Sequence, residues 1–172
     1  KMKIIKTRIK NLLVFKSEKF DDNRGYFREV LLEKNVKRKF KFNVVSMSKK
    51  NVIRGLHLQK REPQAKFISV VKGKIIDVAV DIRKNSRTYG KHFKIVLSDK
   101  NCTSLYIPEG FAHGFGGLGK ENIVVYSCTN YRHKKGERGI RWNDKNLKIN
   151  WKIKKPIISS KDKKNISFKQ FK

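Results

Sequence analysis

The sequence has few cysteines, few acidic residues and no long apolar runs, and each shortage excludes a class of protein. The two cysteines, Cys102 and Cys128, are too few for a disulfide framework and lack the close spacing of a zinc site. No segment approaches the roughly 18 consecutive apolar residues of a membrane span, and no signal peptide is recognisable. We therefore expect a cytoplasmic protein with two buried thiols, no metal and no contact with a membrane.

The shortage of acidic residues leaves a formal charge of +30, because 44 Lys and Arg face only 14 Asp and Glu. Such a charge can favour nucleic acid by releasing counterions from phosphates. The cations are spread over the whole chain, however, and Lys outnumbers Arg about three to one, whereas recognition surfaces favour the planar Arg side chain. The composition thus argues against a specific nucleic-acid partner but suits an anionic ligand such as a pyrophosphate.

The 172 residues suit one domain, 1–172, and the chain contains many short segments in which apolar and polar residues alternate. No stretch of 12 or more residues has a sustained helical stripe. Five segments are predicted to be strands: Lys66–Val71, Ile75–Ile82, His92–Leu97, Thr103–Ile107 and Ile123–Thr129. The N-terminal third offers Lys3–Ile9, Leu12–Lys16, Tyr26–Leu31 and Phe42–Met47 as further candidates, so eight or more strands are expected. This pattern predicts an all-β fold, either a double-sheet jelly roll or a barrel.

Turn residues suggest how these strands connect. Gly73 lies between two predicted strands and can adopt the positive φ of a tight turn, so Lys66–Val71 and Ile75–Ile82 are predicted to form a hairpin. The segments on either side of Ser98–Asn101 are expected to form the next pair. Near the C-terminus, a short helix is expected around Lys161–Asn165, after which the chain should fray.

Two polar stretches are candidates for chemistry. VIRGLHLQKREPQAK, from Val52 to Lys66, contains Arg54 and His57, and IPEGFAHGF contains His113. The pattern predicts that these groups lie on strand edges and turns. An arginine, two histidines and a lysine could together support proton transfer beside an anionic ligand.

Seven blocks of the sequence resemble the dTDP-4-dehydrorhamnose 3,5-epimerase family, and they occur in order over nearly the whole chain. They are FDDNRGYFREV (Phe20–Val30), SMSKKNVIRGLHLQ (Ser46–Gln59), QAKFISVVKGKIIDVAVDIR (Gln64–Arg83), LYIPEGFAHGF (Leu105–Phe115), VYSCTNY (Val125–Tyr131), ERGIRWND (Glu137–Asp144) and ISSKD (Ile158–Asp162). The resemblance implies a cupin-like jelly roll with short peripheral helices, a homodimer, and a dTDP-linked 4-keto sugar as the substrate. It implies no cofactor, since the ketone at C4 already acidifies the protons on C3 and C5.

The resemblance also assigns catalytic roles. His57 matches the family's general base, and Asp162 matches the carboxylate that orients its imidazole. Lys66 matches the cation that stabilises the enolate oxygen, and Tyr126 matches the acid that returns a proton from the opposite face. Outside these motifs, a histidine, lysine or strand tyrosine is more often an ordinary structural or surface residue.

Further residues match positions that bind the substrate. His113 resembles a residue that hydrogen-bonds the sugar, and Asp77 resembles a site residue near Lys66, although Asp77 and Asp81 could equally pair with Lys or Arg near turns. Arg54 is the best candidate for the pyrophosphate, because a guanidinium binds it bidentately. At the nucleotide, the resemblance assigns five residues, of which the first three reach across the dimer interface: Arg24, Phe27, Glu29, Tyr131 as an aromatic that stacks on the base, and Glu137 as a polar contact.

Two departures from the family pattern affect the expected substrate. Relatives usually carry a Gln-x-Asn pair where this chain has Phe42 and Val44, so hydrogen bonds to the ligand are lost there. The glycine-rich run Gly116–Gly119 could reshape the floor of the pocket. Either change leaves open a different nucleotide-linked 4-keto sugar, or epimerisation at C3 alone.

Two other classes of function remain as alternatives. A metal-dependent cupin would fit the Pro108-x-Gly110-x-x-His113 motif, but this chain has His57-Leu58-Gln59 where a metal cupin has His-x-His. A non-catalytic sugar-nucleotide-binding cupin would need neither a base nor an acid, so the presence of both His57 and Tyr126 argues against it.

Overall fold

The computed structural model describes residues 2–171, and most of this range consists of β-strands. The strands are β1 Lys3–Lys6, β2 Leu13–Lys16, β3 Phe20–Asp22, β4 Gly25–Phe27, β5 Phe42–Lys49, β6 Val52–Gln59, β7 Lys66–Lys72, β8 Lys74–Asp81, β9 His92–Ser98, β10 Thr103–Ile107, β11 Phe111–Gly117, β12 Glu121–Cys128, β13 Glu137–Gly139 and β14 Ile157–Ile158. Two one-turn α-helices, α1 Glu33–Val36 and α2 Ser160–Lys163, and the 3-10 helices Lys134–Gly136 and Lys169–Phe171 are peripheral. Among residues 2–171, no helix has the length and apolar character needed to cross a membrane.

Two antiparallel sheets face each other. The first sheet has the strand order β1-β2-β10-β7-β12-β5, and the second has the order β13-β6-β11-β8-β9, with β14 added in parallel to β6. Strands β3 and β4 form a separate hairpin. From β5 to β12 the chain passes repeatedly from one sheet to the other, which is the jelly-roll arrangement. The predicted all-β, cupin-like jelly roll is confirmed.

Both predicted strand pairings are wrong. Strands β7 and β8 are joined by a tight turn in which Gly73 has a φ of +85°, but they belong to different sheets. The same holds for β9 and β10. Alternating hydrophobicity locates strands and glycine locates turns, whereas the pairing partner depends on how the two sheets pack, which local sequence does not encode.

Some predicted boundaries were also wrong. The first strand ends at Lys6 rather than Ile9, because Ile9 turns into the core with 1% exposure. The strand predicted to end at Leu31 already ends at Phe27. The C-terminal segment does not fray as expected, since Phe171 is 6% exposed and packs in an apolar cluster.

Three apolar clusters hold the layers together. Ile68, Leu105 and Val124 of the first sheet meet Ile75 and Phe115 of the second sheet between the layers. A second cluster covers the outer face of the second sheet, where C-terminal residues including Leu147 and Trp151 pack on Ile76, Val78 and Val80. A third cluster lies on the outer face of the first sheet around Phe15, Phe67 and Tyr106. Because β8 is covered on both faces, seven of its eight residues are buried, and these include Asp77 and Asp81.

Because Gly55 has no side chain, β6 approaches β11 more closely than it could with any other residue at this position. Its φ is +127°, and a Cβ there would lie 2.7 Å from the Cα of Gly114 and 2.8 Å from the carbonyl oxygen of His113. Since β6 carries His57 and β11 carries His113, this approach sets the spacing of the two histidines.

A Gly55→Ala substitution should therefore destabilise the fold more than a Gly25→Ala substitution. Gly25 has a similar φ of +132°, but a Cβ there meets nothing within 4 Å. Gly25→Ala is the control, because it introduces backbone strain without a steric clash. We therefore expect Gly55→Ala to lower the free energy of unfolding by at least about 2 kcal/mol more than Gly25→Ala does. Urea denaturation measures both variants, and equal losses would contradict the steric explanation.

Candidate active site

A cleft with two lobes lies between the sheets. The larger lobe has a volume of about 630 Å³ and extends past Phe42, and we call it the Phe42 lobe. The smaller lobe has a volume of about 470 Å³ and extends past Arg54, and we call it the Arg54 lobe. Four residues line both lobes: His57, Lys66, Tyr126 and Lys161. The predicted base, acid and enolate-stabilising cation thus face both lobes.

The first sheet supplies one wall through its register. Tyr126 of β12 lies opposite Val44 of β5, and Cys128 lies opposite both Phe42 of β5 and Lys66 of β7. Directly opposed residues, and residues two apart on one strand, point to the same face of a sheet. All five side chains therefore line the cleft together.

The second sheet supplies the two histidines from strand interiors. His57 of β6 lies directly opposite His113 of β11. The expectation that these residues lie on strand edges and turns was wrong, because the glycines around them belong to long, closely packed strands rather than to turns. The sequence identified the two polar stretches but did not show that their histidines lie in the interiors of strands.

Asp162 holds the imidazole of His57. Its Oδ1 lies 2.5 Å from Nε2 of His57, and its Oδ2 accepts a hydrogen bond of 3.1 Å from the backbone N–H of Gly55. Burial alone would raise the pKa of Asp162, but the hydrogen bonds from His57 and Gly55 lower it overall. An ionised carboxylate can only accept hydrogen bonds, so Nε2 of His57 is the donor, and in the neutral imidazole the free lone pair is on Nδ1.

Helix α2 places this carboxylate. Ser159 caps the helix by accepting a 3.1 Å hydrogen bond from the backbone N–H of Asp162. The side chain of Asp162 is 5% exposed, whereas that of His57 is 39% exposed. The carboxylate is therefore shielded from solvent, and the imidazole remains accessible from the cleft.

A second carboxylate–imidazole pair lies beneath the first. His113 approaches Asp77 with Nε2 at 2.9 Å from Oδ2, and the two residues are 7% and 0% exposed. The alternative partner proposed for Asp77, a Lys or Arg near a turn, was wrong. The same expectation, pairing with a Lys or Arg near a turn, is correct for Asp81, which pairs with Arg83 at 2.7 Å.

Lys66 is not one more solvated lysine. It is half-buried, and among residues 2–171 its ammonium has neither a hydrogen bond nor an ion pair at contact distance. Burial lowers the pKa of Lys66, while Cys128, Asp77 and Glu137 act in the opposite direction. The cleft thus contains a cation without a protein partner, available to an oxyanion of the ligand.

The phenol of Tyr126 is held in its protonated form. Burial raises the pKa of Tyr126, and the neighbouring Cys128 adds to the effect, whereas Arg54 and Arg132 partly offset it. Such a phenol can donate a proton at neutral pH. The two cysteines are unpaired and buried, as predicted, although Cys128 also lines the Phe42 lobe.

Arg54 lies at the entrance of its lobe. Its Nε donates to Oγ of Ser48 at 2.9 Å, and its Nη2 donates to the carbonyl of Met47 at 3.0 Å. These bonds to β5 fix the plane of the guanidinium and leave its Nη1 free. The arrangement suits a phosphate at the mouth of the cleft.

Glu137 forms an ion-pair cluster on the far side of the Phe42 lobe. It accepts hydrogen bonds from Arg132 and, at 2.8 Å, from Nζ of Lys161. The Arg132 guanidinium, helped by Lys161 and opposed by burial, lowers the pKa of Glu137 to about 2. Sequence reasoning assigned Glu137 to the site but missed both cations, because lysine and arginine are too common in this chain to stand out.

Phe42 and Tyr131 form a stacked pair at the edge of the cleft. Their ring centroids are 5.8 Å apart with an interplanar angle of 27°. Phe42 lines the lobe, while Tyr131 is 61% exposed and lies behind it. Val44 also lines the lobe, so both positions at which we expected this chain to depart from its relatives fall on the cleft wall.

Other predicted residues lie outside the cleft of this chain. Arg24 and Phe27 belong to the exposed β3–β4 hairpin, and Glu29 follows it on the surface. The glycine run also lies elsewhere: a Cβ on Gly116 would meet Ile153, and one on Gly117 would meet Asn122. The expectation that this run shapes the pocket floor was wrong, since none of its residues lines either lobe and both glycines are packed closely against other parts of the polypeptide.

Comparisons with known proteins identify the family. The sequence profile of the dTDP-4-dehydrorhamnose 3,5-epimerase family matches residues 6–170. The chain belongs to this family. The enzyme of that name from Shigella flexneri is 46% identical over 94% of this chain and 93% of its own length, and the one from Methanothermobacter thermautotrophicus is 42% identical over 94% and 91%.

Solved structures agree with this assignment. The dTDP-6-deoxy-D-glucose-3,5-epimerase of Legionella pneumophila, in complex with dTDP-4-keto-L-rhamnose, superimposes with a TM-score of 0.96 at 35% identity and covers 100% of this chain and 95% of its own. The dTDP-4-dehydrorhamnose 3,5-epimerase of Bacillus anthracis, with TDP and pyrophosphate bound, gives a TM-score of 0.93 at 37% identity over 98% and 100%. The predicted family and its isomerase class are confirmed.

The arrangement offers general acid–base chemistry. An imidazole on the second sheet and a phenol on the first both line the cleft, together with the ammonium of Lys66. No cluster of three His, Cys, Asp or Glu side chains that could hold a metal ion occurs within residues 2–171.

Replacing Asp162 by Asn should lower kcat by about 10²–10⁴, because the amide cannot stabilise a protonated His57. Steady-state kinetics on the 4-keto sugar would measure this loss. Asp81→Asn is the matched control, since Asp81 is also buried and ion-paired but lies outside the cleft. That control should lose thermal stability and keep its kcat. An unchanged kcat in Asp162→Asn would remove this carboxylate from the mechanism.

Proposed function

We propose that this protein epimerises C3 and C5 of dTDP-4-dehydro-6-deoxyglucose, giving dTDP-4-dehydrorhamnose without a cofactor. The observation that carries the proposal is that His57 and Tyr126, from opposite sheets, line both lobes of one cleft together with Lys66. Epimerisation requires removal of a proton from one face of the sugar and its return on the other. A base and an acid on opposite walls meet that requirement.

His57 is the proposed base. Its Nδ1 has a free lone pair, because Nε2 is bound to Asp162. Once the imidazole takes a proton from C3 or C5, the positive charge is stabilised by the buried carboxylate 2.5 Å away. A positioned base of this kind contributes about 10²–10⁴ to the rate.

Lys66 is the proposed stabiliser of the enolate. Removal of the proton moves negative charge to the oxygen on C4, and the half-buried ammonium can bind it without first breaking an ion pair. His113, fixed by Asp77, is a further donor to the sugar. One such donor contributes about 10²–10³ to kcat.

Tyr126 is the proposed acid. Because burial raises the pKa of its phenol, the proton stays on the oxygen at neutral pH until the enolate carbon can accept it. Protonation from the wall opposite His57 inverts the carbon. Arg54 is proposed to bind the pyrophosphate, and Glu137 and Tyr131 to lie beside the nucleoside.

Residues 1–172 are proposed to act as one domain in a homodimer. The β3–β4 hairpin exposes apolar rings, with Phe20 57%, Tyr26 53% and Phe27 66% exposed, and β5 exposes Val45 and Met47 on the outer face of the first sheet. A second copy would cover these surfaces and bring its Arg24, Phe27 and Glu29 towards the nucleotide. The unpaired thiols favour a cytoplasmic location.

Deuterium exchange tests the reaction. In D2O, the protein should exchange the C3 and C5 protons of the dTDP-linked 4-keto sugar, as followed by NMR, and exchange should survive a chelator. His57→Asn should lower both exchange rates by about 10²–10⁴. Tyr126→Phe should still exchange but should change the stereochemical outcome, since reprotonation from the opposite face is lost. Exchange at C3 alone would instead identify a 3-epimerase, and loss of exchange with chelator would support a metal cupin.

Phe27→Ser tests the dimer. Sedimentation should give a dimer for the parent protein and a shift towards monomer, with raised KM, for the variant. Ile4→Ser is the control, because Ile4 is 44% exposed on the other edge strand of the first sheet. If both variants sediment like the parent protein and keep its KM, the hairpin is not the interface.

A further inference from the structure

Gly139 is the residue of β13 that lies directly opposite His57 of β6. Directly opposed residues point to the same face of a sheet, so a side chain at position 139 would lie beside the imidazole. Gly139 does not belong to the glycines of this chain that have a positive φ. The backbone conformation therefore does not explain why this position has no side chain.

The side chain of Asn165 occupies the space beside Gly139. A Cβ on Gly139 would lie 2.1 Å from Oδ1, 2.4 Å from Cγ and 2.6 Å from Nδ2 of Asn165. These separations are far below the roughly 3.5 Å at which non-bonded heavy atoms attract each other. Gly139, Asn165 and His57 all line the Phe42 lobe. The missing side chain at position 139 thus makes room for one amide group next to the imidazole.

The amide of Asn165 contacts the carboxylate that holds His57. Nδ2 of Asn165 lies 3.5 Å from Oδ1 of Asp162, the same oxygen that is 2.5 Å from Nε2 of His57. Because an ionised carboxylate can only accept hydrogen bonds, the amide nitrogen is the donor. With the backbone N–H of Gly55 on Oδ2, the carboxylate of Asp162 is approached by donors from three directions.

The backbone around Asn165 is fixed on both sides. Its N–H donates to the carbonyl of Asp162 at 3.3 Å, and its carbonyl accepts a hydrogen bond of 3.3 Å from Nε of Arg141. The next residue, Ile166, forms a parallel bridge with Ile140. The chain therefore holds Asn165 beside β13, and its amide can stay at Asp162 only while position 139 has no side chain.

We propose that Asn165 is a positioning residue that holds the carboxylate of Asp162, and through it the imidazole of His57, and that Gly139 is required because it leaves room for this amide. The inference rests on the proposed function, since it takes His57 as the base. Asn165 acts by limiting the movement of the carboxylate and not by touching the reacting atoms. A displacement of a catalytic group by about 1 Å can cost about 10²-fold in rate.

A double-mutant cycle tests whether Gly139 acts through Asn165. Asn165→Ala should lower kcat on the 4-keto sugar by about 10- to 100-fold and leave KM nearly unchanged, because the base is affected and the ligand contacts are not. Gly139→Ala should lower kcat at least as much, since the added methyl group displaces the amide. In the double variant the methyl group meets no amide, so its kcat should equal that of Asn165→Ala. If Gly139→Ala alone does not fold, the double variant should fold again.

NMR without substrate makes the test independent of the proposed function. The 15N shifts of the two ring nitrogens of His57, read through its carbon-bound protons and assigned with His57→Asn, report the hydrogen bond to Asp162. These shifts should change in Asn165→Ala, and the double variant with Gly139→Ala should show the same shifts as Asn165→Ala. A parent protein that fails to exchange the C3 and C5 protons would overturn the proposed function, whereas the ring shifts would still decide the positioning role.

Asn101→Ala is the matched control. The amide nitrogen of Asn101 donates to the carbonyl of Val96 at 2.8 Å, and its side-chain oxygen accepts hydrogen bonds from the backbone N–H groups of Ser98 and Thr103. Asn101 thus holds a turn of the backbone, but it lines neither lobe of the cleft. This variant should lose thermal stability and keep the kcat and the His57 ring shifts of the parent protein.

Three results would overturn the proposal. Losses of kcat that simply add up in the double variant would mean that Gly139 and Asn165 act independently. A raised KM with unchanged kcat in Asn165→Ala would mean that the amide binds the ligand and does not position the base. An equal loss of kcat in Asn101→Ala would attribute the effect to general destabilisation of the fold.

Discussion

The contact between Asp162 and β6 is the interaction on which the site depends. One carboxylate binds the imidazole of His57 and the backbone of Gly55, residues more than 100 positions earlier in the chain. This contact joins helix α2 to the strand that carries the base. It also keeps a negative charge away from water, where it can stabilise a protonated histidine. The C-terminal segment thus covers the second sheet and also supplies the carboxylate that holds His57.

Much of the fold could be predicted, because alternating hydrophobicity marks strands wherever one face is buried. The strand at His92 and the turn at Gly73 follow from such local signals. The pairing of β7 with β10 and β12 does not, since it arises from packing between distant segments. Strands β6 and β11 were not predicted, because their glycines and histidines suggest turns. In the structure, the glycines allow the backbones of the two strands to pack closely together.

The candidate site, like the fold, could be predicted only in part. His57, Lys66, Tyr126 and Asp162 were found through motifs, and the structure brings all four to one cleft or directly beside it. The surroundings of the site residues could not be predicted from the sequence. The unpaired state of Lys66, the shielding of Asp162 and the ion pairs of Glu137 all depend on residues that are distant in the chain. Phe42 shows the limit most clearly, since the sequence indicated only a lost hydrogen bond and the structure reveals a supported ring.

Strand β5, which carries Phe42 and Val44, is the last strand of its sheet and is bonded to a neighbour on one side only. A substitution there disturbs one strand pairing, whereas a change at Lys66 or Tyr126 would affect strands bonded on both sides. The proposed reactive residues of the first sheet therefore lie on central strands, whereas Phe42 and Val44 lie on an edge strand, where substitutions should be better tolerated. In such an enzyme, substitutions on the edge strand can change the substrate range while the residues of the central strands stay the same.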